Sequence, residues 1–166
     1  ASAFPAARNV VRAMPNTPAA ISQGITVLCP NGNTSDDQAS LCQALMLAVG
    51  EAVMVDDEAL IDPVTALSGG GPAYVFLLIE CLAEAGVQSG LPADLSARLA
   101  LATVAGSGQL ALTSDEAPAE LRKNVTSPGG TTLEALKILM AKDGLQPLLT
   151  RAIAAATRRS QELAGG

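Results

Sequence analysis

The chain has 166 residues, a formal charge of −6 and a pI near 4.5; 49% of it is hydrophobic but only 2% aromatic. With no histidine there is no imidazole base, no Ser-His-Asp triad and no histidine metal ligand, so no metal site is expected. The acidic balance argues against nucleic acid as a partner, while leaving room for a local pocket that takes a small anion.

The first third reads as strand, strand, helix, strand. Val10-Val11 opens a short strand that stops at Met14-Pro15. Gly24 to Cys29 is β-branched and ends at the turn cluster Pro30-Asn31-Gly32. Asn33 to Asp37 supplies N-cap candidates for a helix carrying Leu41, Leu45 and Ala48, closed by Gly50. Ala52 to Val55 is the third strand. These 55 or so residues form an α/β pattern too small for a complete doubly wound domain.

From Glu58 the strand signals vanish. A helix is expected over 58–67, with Pro63 near its start or kinking it. Ser68-Gly69-Gly70-Gly71 is expected to break the chain, and Pro72 to open a helix to Gln88. After Gly90-Leu91-Pro92 comes a long helix over 93–112. Its Leu95, Leu99, Ala102, Gly106 and Leu110 share a face, and its small residues invite close approach by another helix. Short helices are expected over 118–124 and 131–142, and a last one over 146–163. Residues 73–79 are apolar on every side, which predicts a helix covered partly by another chain or, as the alternative, the central helix of a monomeric bundle.

Cys29, Cys42 and Cys81 are scattered, without a CxxC pair, as in a reducing compartment. No signal-peptide pattern follows Arg8 and Arg12, and the apolar run from Ala73 to Ile79 falls short of the roughly 20 residues a bilayer needs. A soluble, cytoplasmic protein with no membrane partner is expected.

Three stretches could carry chemistry. Asn124 to Glu134 holds Ser127-Pro128-Gly129-Gly130-Thr131-Thr132 ahead of a helix, with Thr131 and Glu134 spaced as a capping box. The free N–H groups of such a helix start suit a carboxylate or phosphate, and Ser127, Thr131 and Thr132 add hydroxyls. Ser68 to Pro72 is a second glycine turn before a helix. It is neither a Walker loop nor a GxGxxG fingerprint. Met14-Pro15-Asn16-Thr17-Pro18 follows a strand, where ligands of α/β sheets lie. Each stretch is also explained by ordinary turn and capping chemistry. Asp56-Asp57-Glu58 and the Glu80/Glu84 pair read as surface charge, not as catalytic carboxylates.

In this order, Val11 to Pro18, Ala66 to Tyr74, Gly90-Leu91-Pro92 and Asn124 to Leu136 resemble Δ1-pyrroline-5-carboxylate reductases, over nearly the whole chain. The resemblance implies a mainly α protein, a helical dimerisation domain preceded by the last strands of a truncated Rossmann-type α/β domain. Residues 1–56 would be the remnant of the dinucleotide-binding domain, and 57–166 the all-helical dimerisation and substrate domain. It implies reduction of pyrroline-5-carboxylate to L-proline by hydride from NADP or NAD in reduced form, in a homodimer or larger homo-oligomer. Asn124, Ser127, Gly129, Gly130, Thr131 and Thr132 would hold the substrate, its carboxylate on the N–H groups of Gly130, Thr131 and Thr132. The Thr132 hydroxyl would serve the imine nitrogen as the catalytic group. Met14, Pro15, Asn16, Thr17, Ser68, Gly69 and Gly70 would face the cofactor's nicotinamide.

The chain departs from the family in having no GxGxxG, so it reads as an inactive C-terminal piece. The strands over 10–14, 25–29 and 52–55 are expected to be displaced, or paired with another chain. Two alternatives stand beside this: a helical dimerisation module without activity, and another β-hydroxyacid-dehydrogenase-like oxidoreductase. Those enzymes usually place a lysine on the helix after the domain junction, and none lies between Leu67 and Val87.

Overall fold

The computed structural model describes residues 8–164. They form two compact units, one of residues 8–72 with 151–164 and one of residues 73–150.

The first unit is built on a three-stranded sheet of β1 (Val11–Met14), β2 (Gly24–Pro30) and β3 (Gly50–Met54), in the order β1-β2-β3. β2 runs antiparallel to β1, with Val11 opposite Pro30 and Met14 opposite Val27. It runs parallel to β3, with Gly24 opposite Gly50 and Leu28 opposite Met54. The crossover that parallel pairing requires is α1 (Asp36–Leu47). Ser35 starts α1 with a full capping box: its Oγ accepts from the Gln38 N–H, and the Gln38 side chain accepts from the Ser35 N–H. The expectation of displaced or separately paired strands is therefore corrected. Both edges of β2 are hydrogen-bonded within the chain, so its backbone groups need no further strand. The continuous apolar run of β2 matches a strand covered on both faces, and Thr26, Val27, Leu28 and Cys29 are buried.

Val27, Cys29 and Ile61 form the core of this unit, with Met14, Val55 and Val64 packed on it. Ile61 comes from a helical stretch that changes pitch three times. Asp57 caps a 3₁₀ turn, Glu58–Leu60, by accepting from the Ala59 N–H at 2.9 Å. α2 (Ile61–Val64) follows, with Pro63 in its first turn, where a missing N–H costs nothing. Thr65–Gly69 is then a π turn, closed by the Gly70 N–H on the Thr65 carbonyl at 2.9 Å. The glycines at 69–71 were expected to interrupt the chain, but the backbone stays helical through them into α3 (Gly71–Gln88). The wider π turn accommodates an extra residue without opening the helix. The C-terminal part of α7 (Leu145–Ala164) is tied to this unit by Ser160 Oγ, which donates to Asp62 Oδ1 at 2.6 Å.

The second unit holds most of α3, then α4 (Ala93–Thr113), α5 (Pro118–Asn124), α6 (Thr131–Leu139) and the first residues of α7. α6 stops three residues before the expected Lys142, because the chain folds into a turn closed by the Gly144 N–H on the Ala141 carbonyl. α3 and α4 meet beside the turn that joins them. Ser96 is buried and donates to the Ala83 carbonyl at 2.6 Å, and its hydroxyl fills the space where a side chain on Gly86 would project.

No residue of α3 is buried in the single chain. Val75, Leu77, Leu78 and Leu82 are exposed, and Phe76 keeps 58% of its surface in water. α4 likewise buries Ser96 and Ala100, whereas Leu95, Leu99 and Leu110 are exposed and the space beside Gly106 and Gly108 is open. The expected close approach along that face is thus not made within one chain. By length and composition alone, the helical stretch Glu58–Gln88 is apolar enough to cross a membrane.

The contact beside that turn predicts a coupled pair of variants. Gly86→Ala should lower the unfolding free energy by about 1–3 kcal/mol through overpacking. Ser96→Ala should cost about 1 kcal/mol through the lost hydrogen bond. The double variant should cost less than the sum, because removing the hydroxyl makes room for the new methyl group. Equilibrium urea unfolding of the three variants checks this.

Candidate functional site

The glycine-rich stretch after α5 is a built turn. The Ser127 carbonyl accepts from the Gly130 N–H at 3.0 Å, with Pro128 and Gly129 between them. Gly129 has φ +71°, the left-handed value that the third residue of a type II turn requires, and proline is favoured just before it. Gly130 is extended and caps α6 without a side chain. A side chain on Gly130 would run into Ser127 Oγ.

Two expectations change here. Thr131 is the first residue of α6, not its cap, so the capping box with Glu134 does not form; Glu134 pairs with Lys137 at 2.7 Å instead. The Gly130 N–H is spent inside the turn. Those of Thr131 and Thr132 have no acceptor among the described residues, as the first positions of a helix leave them. They sit at the positive end of the helix dipole, beside the exposed Ser127 and Thr132 side chains. The arrangement can hold a small carboxylate or phosphate. Asn124 ends α5, and its Nδ2 donates to Glu116 Oε2 at 2.8 Å.

The second patch lies in the other compact unit. β1 ends at Met14, and the chain passes through Pro15 and Asn16 into a 3₁₀ turn, Thr17–Ile21, before β2. Asn16 does not cap that turn. Its Oδ1 accepts from the Ile25 N–H at 2.9 Å, and its Nδ2 donates to Ser68 Oγ at 3.3 Å. Met14 Sδ lies 3.4 Å from the point where a side chain on Gly69 would begin. The fold therefore brings Met14, Asn16, Ser68 and Gly69 together. Pro15 and Thr17 are exposed on the same loop, and Gly70 closes the π turn. Ile25 as the anchor of Asn16 was not foreseen, since a backbone N–H leaves no trace in residue type.

The side chains of this second patch are apolar apart from the Asn16 carboxamide and the hydroxyls of Thr17 and Ser68. The patch has no cationic side chain, and the Gly70 N–H is occupied. Such a set offers a phosphate no cationic partner. Cys29 is buried, and burial, with Glu58, Asp57 and Asp56 nearby, pushes its thiol up.

A family model described as pyrroline-5-carboxylate reductase dimerisation matches residues 58–163. The chain belongs to this family. It is 49% identical over 157 residues to a pyrroline-5-carboxylate reductase of Pseudomonas aeruginosa, covering 95% of this chain and 57% of that protein. Among solved structures, a Coxiella burnetii pyrroline-5-carboxylate reductase matches with TM-score 0.88 and 42% identity, over 93% of this chain and 57% of that one. A Plasmodium falciparum pyrroline carboxylate reductase with NADP bound matches with TM-score 0.83 and 34% identity, over 95% of this chain and 59% of that one. The chain thus spans little more than half the length of these reductases. The family model begins at the 3₁₀ turn that leads into α2 and runs through α7.

The turn before α6 carries its own prediction. Gly129→Ala should destabilise the protein by about 1 kcal/mol or more, because alanine pays for the left-handed backbone. Gly129→Asn should cost less, since asparagine tolerates that region better. Thermal unfolding of both variants checks the order.

Proposed function

We propose that this sequence is the dimerisation and substrate-holding part of a pyrroline-5-carboxylate reductase that makes L-proline, with residues 1–56 finishing a dinucleotide-binding domain and 57–166 forming the helical domain. The observation that carries this is the turn Ser127–Gly130 leading into α6, with two free N–H groups at its start, within a chain of this family.

In this reading the N–H groups of Thr131 and Thr132 hold the substrate carboxylate, and the Ser127 hydroxyl assists. Gly129 and Gly130 keep the turn open to it. The Thr132 hydroxyl stands at the imine nitrogen, and Asn124 borders the site from α5. Met14, Pro15, Asn16, Thr17, Ser68, Gly69 and Gly70 form the wall on the nicotinamide side, for NADP or NAD. The reduced cofactor, when bound, supplies the hydride for the C=N carbon. Positioning is the main task left to the protein, and that accords with a chain lacking histidine.

The partner is a second copy of the chain. The exposed apolar surface of α3 and α4 supports this, and it is why we read Glu58–Gln88 as an interface helix and not a membrane span. The substrate loop of one subunit would work with the cofactor-binding unit of its neighbour. The scattered, unpaired cysteines fit a cytoplasmic setting.

Oxidation of NADPH by pyrroline-5-carboxylate, followed for the full-length protein and for this chain alone, tests the activity. Only the full-length protein should turn over. Thr132→Ala should lower kcat/KM by roughly 10²-fold. Turnover that survives Gly130→Val combined with Thr132→Ala would remove the site assignment.

Assembly has a separate check. The isolated chain should sediment as a dimer at micromolar concentration, and the Cys81 thiol on α3 should be protected in the dimer and reactive on dilution. A monomer at that concentration would overturn the partner assignment.

A further inference from the structure

Asn16 was expected to touch the ligand, yet both ends of its carboxamide are used inside the chain. The orientation of that amide does not rest on telling oxygen from nitrogen. A backbone N–H can only donate, so the atom 2.9 Å from the Ile25 nitrogen is the oxygen. The amide nitrogen then faces Ser68, 3.3 Å away. It can only donate, so the Ser68 oxygen must accept.

This leaves the Ser68 hydroxyl one proton to give. Serine in a helix commonly gives it to the carbonyl four residues back, as Thr65 does to Ile61 at 2.7 Å. Ser68, in the π turn, does not. Among the described residues its hydroxyl proton has no acceptor, although the residue is half-buried. Part of Ser68 is open to solvent, so this proton goes to water until a ligand oxygen displaces it.

We propose that Asn16 is a positioning residue that sets the polarity of the Ser68 hydroxyl, so that Ser68 donates to a carbonyl or carboxylate oxygen of the bound ligand. The identity of that ligand rests on the function proposed above. The oxygen belongs either to the carboxamide of the nicotinamide or to the carboxylate of the imino acid.

Asn16→Asp reverses the polarity at nearly constant shape. The aspartate still accepts from Ile25, but it now also accepts from Ser68, whose lone pairs then face the ligand. In the full-length protein this should weaken binding on the order of tenfold. The loss appears in the Kd for NADPH, read by fluorescence titration, if the acceptor is the carboxamide. It appears in the KM for pyrroline-5-carboxylate, with the NADPH Kd unchanged, if the acceptor is the carboxylate. Ser68→Ala should lose affinity in the same quantity. On the Ser68→Ala background, Asn16→Asp should change it less than twofold.

Equal effects of Asn16→Asp on both backgrounds would overturn the proposal, because the new charge would then act directly on the ligand. So would a Ser68→Ala variant that binds as the wild type does, whether or not Asn16→Asp folds. Wild-type protein that neither binds NADPH nor turns over would instead remove the proposed function. The clamp is still tested in that case by amide exchange at Ile25, which should quicken in Asn16→Ala and stay slow in Asn16→Asp.

Discussion

The unit from Ala73 to Thr150 has almost no interior of its own. Its most apolar helix, α3, buries no residue in the single chain, and the leucines of α4 are largely in water. Burying a Leu or Phe side chain is worth about 1.5–3 kcal/mol, so leaving this many exposed forgoes much of what would stabilise a domain of this size. The composition follows from that constraint. Alanine and glycine let helices approach closely, and most of the large aliphatic residues of α3 and α4 stay on the surface of the single chain. The exposure of α3 accords with the second copy proposed above.

Both candidate patches are built from turns and backbone groups, without titrating side chains. At α6 the glycine turn leaves two N–H groups unpaired. At the end of β1 one asparagine joins a loop, a strand and a π turn, with Ser68 as its only outlet. Neither patch needs a group whose charge changes near neutral pH. The one resolved titration shift, at Cys29, belongs to a buried thiol in the core.

Much of this was legible in the residues. Pro118, the Gly90-Leu91-Pro92 punctuation and Gly50 mark element ends because proline and glycine act locally, and those boundaries agree with the structure to within a residue or two. The Ser127-Pro128-Gly129-Gly130 turn was legible for the same reason. What escaped depends on groups that residue type does not report. Glycines at 69–71 read as a break, yet a π turn carries the helix through them. The Gly130 N–H looked free until the Ser127 carbonyl was seen to take it. The apolar stripe of α4 was legible from its periodicity, which does not say which chain covers it. The strands were expected to need lost neighbours, but the β2-α1-β3 crossover supplies the partner from within.

The Ser96–Ala83 hydrogen bond also bears on the order of assembly. It joins residues only 13 apart in sequence, so the turn between α3 and α4 closes a short loop and can form early, before any second copy is met. In the proposed dimer, association would follow as a separate step, second order in protein, whose rate falls on dilution while closure of the turn does not change. Between those two steps the nascent chain presents α3 to water, and that interval is when it is most open to sticking to the wrong neighbour.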